Sequence, residues 1–144
     1  MSRVLECSSR GDKRFSALYA KLKIKGVTHT IEEWYQLSKR FGDFVPKTWK
    51  DGKGKRPTHI EINKHKFELK YLTPWYKLLW VGYFNSNPDL LEYAKQFDEF
   101  RDSFARRGCN NQADVIAEIV KNGKDSILCD PMVAEIRNLF YGGD

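Results

Sequence analysis

Residues 20–41 change their apolar period partway along, and few arrangements other than a strand followed by a helix satisfy both halves. Ala20, Leu22 and Ile24 alternate with Lys21, Lys23 and Lys25, the period of two that sends alternate side chains to one buried face of a strand. Gly26 ends that run. After it, Thr30 precedes Ile31, Trp34, Tyr35 and Phe41 at helical spacing, and Glu33 stands where a capping box requires an acidic residue. A helix over about residues 31–41 is expected.

The same reasoning extends along the chain. Ile60 and Ile62, a turn at residues 63–65, and Phe67 and Leu69 predict a hairpin. Thr73-Pro74 opens a helix carrying Leu78, Leu79 and Phe84, and Asn87-Pro88 opens another carrying Leu91, Ala94 and Phe97 that Gly108 stops. Two further helices are expected, from about Asn111 to Lys121 with Asn122-Gly123 at its end, and from Asp130-Pro131 through Val133, Ile136 and Phe140 to Gly142-Gly143. The expected fold is α+β: one compact, helix-rich domain over residues 1–144 with a small antiparallel sheet.

At 144 residues, the chain is long enough for one sizeable core. No apolar run approaches the roughly 20 residues of a membrane span, and Met1 to Arg10 lack the apolar stretch of a signal peptide, so a cytosolic protein without a membrane partner is expected. Cys7, Cys109 and Cys129 are odd in number and widely spaced, which favours free thiols. His29, His59 and His65 make no ligand pattern, so neither a metal nor a cofactor is expected.

The net charge of +6 is concentrated between Lys47 and Lys70. That stretch holds eight basic and three acidic residues, a local +5. It fits either a polyanion partner or a solvated, solubilising loop.

The segment GDKRFSALYAKLKIKGVTHTIEEWYQLSKRF resembles the NADAR family of ADP-ribose-related N-glycosidases, whose helix reads roughly T-x-E-H-x-x-Q-x-x-K. The matching residues are Thr30, Glu32, Gln36 and Lys39. MVAEIRNLF is similar to the closing helix of that family, and NPDLL to its usual N-P-E-L helix start. The resemblance implies a compact α+β domain that binds a ribose phosphate or ADP-ribose and hydrolyses an N-glycosidic bond without a metal, with Glu32 as the carboxylate. Cleaving a ribosyl C–N bond builds positive charge on the sugar, which a fixed carboxylate stabilises.

Glu33 is needed for the capping box, whereas Glu32 has no such local duty, so the chemistry is assigned to Glu32. Both glutamates also suit the positive end of the helix. Lys39 lies seven residues on, on the same face if the helix continues, and would bind phosphate or pair with a carboxylate. Ser9 and Arg14, in the polar stretch around Gly11, are candidates for phosphate, against an ordinary turn with Gly11 at positive φ. Trp49 and Trp75 compete to stack on the base; Trp75 is preferred of the two, although a tryptophan followed by Leu78 and Leu79 is more often a core residue than a stacking platform. Asp98 and Asp102 fall four apart on the expected helix, where either would supply a second carboxylate or pair with Arg101 or Arg106. Asn111, Gln112 and Asp114 begin a helix, where they either cap it or read a base edge or a ribose.

The chain departs from the family pattern at Glu33, where a histidine is usual, at Ala17, where an asparagine is usual, and in the basic stretch. That stretch supports a second reading, a nucleic-acid-binding module in which Lys50, Lys53, Lys55 and Arg56 contact phosphates and Trp49 or Tyr71 stacks on a base. A third reading gives Trp80, Tyr83 and Phe84 to a protein partner.

Overall fold

A computed structural model describes residues 2–105 and 110–141, without the side chains of the last two of these. The expectations for Arg106, Gly108, Cys109 and Gly142-Gly143, and for the Phe140 side chain, lie outside the described residues.

The fold is α+β. Strand β1 (Val4–Glu6) leads through a 3-10 turn at Lys13–Phe15 to β2 (Lys21–Ile24) and β3 (Val27–Thr30). Helix α1 (Ile31–Leu37), strand β4 (Lys39–Arg40) and a 3-10 turn at Trp49–Gly52 follow, then the hairpin β5 (His59–Ile62) and β6 (His65–Glu68). The remainder is α2 (Leu72–Ser86), α3 (Pro88–Ala94), β7 (Glu99–Arg101), α4 (Gln112–Asn122), α5 (Asp125–Leu128) and α6 (Pro131–Tyr141).

Instead of one antiparallel sheet, the described residues form three small ones. β1 pairs with β7 in parallel, β2 with β3 antiparallel, and β4, β5 and β6 form an antiparallel trio. Both tight hairpins turn on residues with positive φ, Lys25-Gly26 and Asn63-Lys64, the backbone that two-residue hairpins demand. The strand β3 was not anticipated, because its side chains are mostly exposed and Gly26 reads as a terminator rather than as the middle of a turn.

Helix α2 organises the interior. Trp75, Tyr76, Leu78, Leu79, Trp80, Val81, Tyr83 and Phe84 are all buried, so the helix is apolar all round and must be wrapped by other elements. It packs against α1, α3, α4, α5, α6 and β2. Trp80, Tyr83 and Phe84 therefore belong to the core, and the partner-binding role considered for them is lost.

Two helices end earlier than expected. α1 stops at Leu37, with Ser38 as its C-cap, because Lys39 and Arg40 pair with Ile60 and His59 across the sheet. α3 stops at Ala94, and residues 99–101 pair with β1 instead of continuing the helix. Lys39 consequently does not share a helical face with Glu32, nor Asp98 with Asp102. The two aspartates flank the ends of a strand, about 13 Å apart along an extended chain. The expected capping box is present: Thr30 Oγ1 accepts from the Glu33 N–H at 3.1 Å, and Glu33 Oε1 accepts from the Thr30 N–H at 2.8 Å.

Candidate functional site

The start of α1 is fixed by backbone bonds to the preceding loop. The Ile31 N–H donates to the Ala20 carbonyl at 2.9 Å and the Glu32 N–H to the Ala17 carbonyl at 3.0 Å, while Glu33 N is taken by Thr30. These are the amides that a helix start otherwise offers to an anion, and all three are occupied. An anion here has to be met by side chains.

Glu32 projects from this fixed backbone. One of its carboxylate oxygens, Oε1, accepts from Gln36 Nε2 at 2.8 Å, one helical turn on. Gln36 is 5% exposed, and its Oε1 is buried with no hydrogen-bond partner among the described residues.

A second carboxylate approaches from β7. Asp102 Oδ2 accepts from Gln112 Nε2 at 3.0 Å, and Gln112 Oε1 accepts from the Ala17 N–H at 2.6 Å. Ala17 thus links both sides, its carbonyl holding the Glu32 amide and its amide holding the Gln112 side chain. Nearby, Tyr35 stands edge-on to Tyr76 at 4.7 Å between ring centroids. Burial pushes the Tyr76 hydroxyl far above its ordinary value, and the negative charges of Glu32 and Asp102, with Tyr35, push it further. Both carboxylates therefore act on the same hydroxyl. Asn110 Nδ2 donates to the Tyr35 hydroxyl at 2.9 Å, and Asn110 Oδ1 accepts from Thr73 Oγ1, also at 2.9 Å.

Lys39 reaches Tyr35 from β4 rather than from α1. It is 7% exposed, its ammonium sits 4.8 Å above the Tyr35 ring, and Nζ donates to the Gly52 carbonyl at 3.3 Å. Gly52 is glycine for a steric reason, since a Cβ there would lie 2.6 Å from the Gln36 carbonyl oxygen and 3.0 Å from Gln36 Oε1. The 3-10 turn of the basic stretch is therefore pressed against the turn of α1 that carries Glu32.

The remaining candidates are placed elsewhere. Arg14 is held by Asp12 through two side-chain bonds of 2.9 and 2.6 Å and lies 4.8 Å over Tyr93, and the Tyr83 hydroxyl donates to its carbonyl. Ser9 is half-buried in the loop after β1. Gly11 in that loop does not have positive φ; it is required because a Cβ would lie 2.1 Å from the Glu6 carbonyl oxygen. Trp75 is 2% exposed and lines a separate cavity with Trp34, Leu37 and Ile62. Asp98 Oδ2 accepts from the Arg3 N–H at 2.9 Å, which ties the amino-terminal segment down. Asn111 caps α4 by accepting from the Asp114 N–H at 2.9 Å and donates to the Asp114 carboxylate at 2.8 Å, so both are used in the cap. Lys50 and Lys53 lie 5.8 and 5.2 Å from the Trp49 ring centre, Lys55 lies 6.0 Å from that of Phe44, and Arg56 is exposed.

Of the sequence candidates, the structure thus brings together Glu32, Lys39, Asp102 and Gln112, and adds Tyr35, Gln36, Gly52, Tyr76 and Asn110. Tyr35 and Gln36 lie three and four residues after Glu32, the spacing that shares a helical face, so that signal was available. Tyr76 and Gly52 carried none, since each is defined by a contact across the fold.

Beside this cluster, Cys7 is fully buried. Burial and the charges of Asp102, Glu6 and Asp12 push its thiol up to about 12, so it is no nucleophile at neutral pH. Among the described residues no group of His, Cys, Asp and Glu side chains is arranged to hold a metal, and no described helix is long and apolar enough to cross a membrane. No family model matches the chain, and no curated protein matches it in sequence.

Proposed function

We propose that the chain is a NADAR-like hydrolase that cleaves the N-glycosidic bond of a ribosylated or ADP-ribosylated base or nucleotide. The observation that carries this reading is that Glu32 and Asp102, from distant parts of the chain, are tied to each other through Ala17 and Gln112 and both lie close enough to the buried Tyr76 to act on its hydroxyl. Glu32 meets the developing positive charge at the sugar carbon or takes the proton from an attacking water. Asp102 is held by Gln112 and supplies the second negative charge. Lys39 supplies the positive charge for a phosphate that the blocked helix amides do not. The reaction needs no metal or organic cofactor.

The test is chromatography of the purified protein with ADP-ribose, NAD, ribosylaminopyrimidine phosphates and ADP-ribosylated oligonucleotides. Free base or ribose phosphate is expected from the wild type, with Glu32→Gln slowed by about 10²–10⁴-fold while its thermal melt stays unchanged. Equal turnover by Glu32→Gln removes the proposal.

A second reading, a non-catalytic nucleic-acid- or nucleotide-binding module, is favoured by one observation. Lys50 and Lys53 gather around Trp49, while the nearby Asp51 is spent on the Lys47 and Thr48 N–H groups, at 3.0 and 3.1 Å. It requires binding that weakens steeply with salt and yields no product. Affinity that is flat from low to moderate salt eliminates it.

A further inference from the structure

Helix α1 has two working faces. Glu32, Tyr35 and Gln36 look toward the carboxylate cluster, while Trp34, Leu37 and Ser38, at the complementary spacing, line a cavity of about 280 Å³ on the other side. Ile24, Val27, Ile62 and Trp75 complete its apolar wall. Its aromatic lining is held by defined contacts. Trp34 Nε1 donates to the Leu22 carbonyl at 2.8 Å, His29 stands edge-on to the Trp34 ring at 4.8 Å and 86°, and Ile62 and Trp75 are core residues. Val27, at 49% exposure, leaves one side reachable from solvent.

We infer that this cavity binds a compact, neutral, N–H-bearing heteroaromatic molecule of about the size of indole. The volume lies just below the roughly 300–1,000 Å³ of ligand sites, which suits one bicyclic ring system and leaves no room for a nucleotide. Two tryptophans and a histidine offer ring faces and edges that reward an aromatic over an aliphatic ligand. Charge selects a neutral molecule, because Lys25 and Glu61 both contribute to the lining and oppose each other. Hydrogen bonding selects a donor. Ser38 Oγ spends its proton on the Tyr35 carbonyl at 2.6 Å and keeps its lone pairs, and the Glu61 carboxylate, 3.6 Å from Arg40 Nε, has oxygen lone pairs to spare. This site is independent of the glycosidase reading, since none of the residues lining it belongs to the carboxylate cluster.

The test is a titration of the intact, isotopically labelled protein with indole, and separately with cyclohexanol, following the side-chain N–H resonances of Trp34 and Trp75. Indole should shift both in a saturable way, with a dissociation constant on the order of 0.1–1 mM, and cyclohexanol should bind at least about tenfold more weakly. Leu37→Trp fills the cavity and should weaken indole at least about tenfold. Should that variant fail to fold, Val27→Phe, at an exposed strand position, blocks the open side and should have the same effect. Glu32→Gln should bind indole as the wild type does, which separates this result from any failure of catalysis. Shifts that do not saturate, cyclohexanol binding as well as indole, or undiminished binding in the folded filled or blocked variant would each overturn the inference.

Discussion

Helices α1 and α2 meet at the Tyr35–Tyr76 contact, yet they are held by different physics. α2 has fifteen residues, no side-chain N-cap, and buried apolar side chains on every face. α1 has seven, too few to be stable alone; besides burying Ile31 and Tyr35, it is fixed by its first amides, its cap and its Glu32–Gln36 pair, all of which find polar partners. Apolar burial is non-directional and tolerates small shifts, whereas hydrogen bonds lose strength within a few tenths of an ångström. One helix gives the domain its stability and the other gives it a position.

That contrast is broken most directly at Trp80, which is fully buried in α2. Trp80→Ala should cost about 3–5 kcal/mol in denaturant unfolding while the folded fraction keeps the chemistry of the site; a cost below about 1 kcal/mol would mean that α2 is not the keel of the core. Gly52→Ala should come next, at about 1–3 kcal/mol, because the new methyl meets backbone at Gln36. Its loss of turnover should exceed its loss of stability, and proportionate losses would deny the turn a positioning role. Thr30→Ala removes the capping-box acceptor and should cost about 1 kcal/mol, measured by thermal unfolding.

A further check is a pH dependence. Partial burial tends to raise the Glu6 carboxyl, but hydrogen bonds from the side chains and amides of Ser8 and Ser103 outweigh it and bring it down to about 2 from an ordinary 4.5. A depressed carboxyl stabilises the fold above its unfolded value and loses that contribution as pH falls toward its folded value. Unfolding curves should therefore show stability falling between about pH 4.5 and pH 2, with the fall shallower in Glu6→Gln. Equal slopes would remove Glu6 from the bracing of the loop after β1.

What was legible in the chain follows from the same physics. The capping box at Thr30 and Glu33, the hairpin around Asn63 and Lys64, and the Pro-opened helices α2, α3 and α6 depend on neighbours in sequence, and local chemistry announced them. The overlong reading of α1 and the helix drawn through Asp98 and Asp102 failed where a distant strand took the backbone, Ile60 for Lys39 and Val4 for Glu99. Glu32 stands out in the sequence because it has no capping duty, and Gln112 because it stands in an unusual polar run. Tyr76 reads as one more apolar position on a buried helix, and only its neighbours make it part of the site.

The link from Ala17 to both Glu32 and Gln112 also has a meaning in time. A ribosome that has released the first hundred residues has already exposed α1 and most of the core, but the second carboxylate and the amide that holds it are still to come. Such a nascent chain carries half a site, with neither Asp102 nor Gln112 beside Glu32, so on the proposed chemistry hydrolysis begins only once the chain has closed on itself.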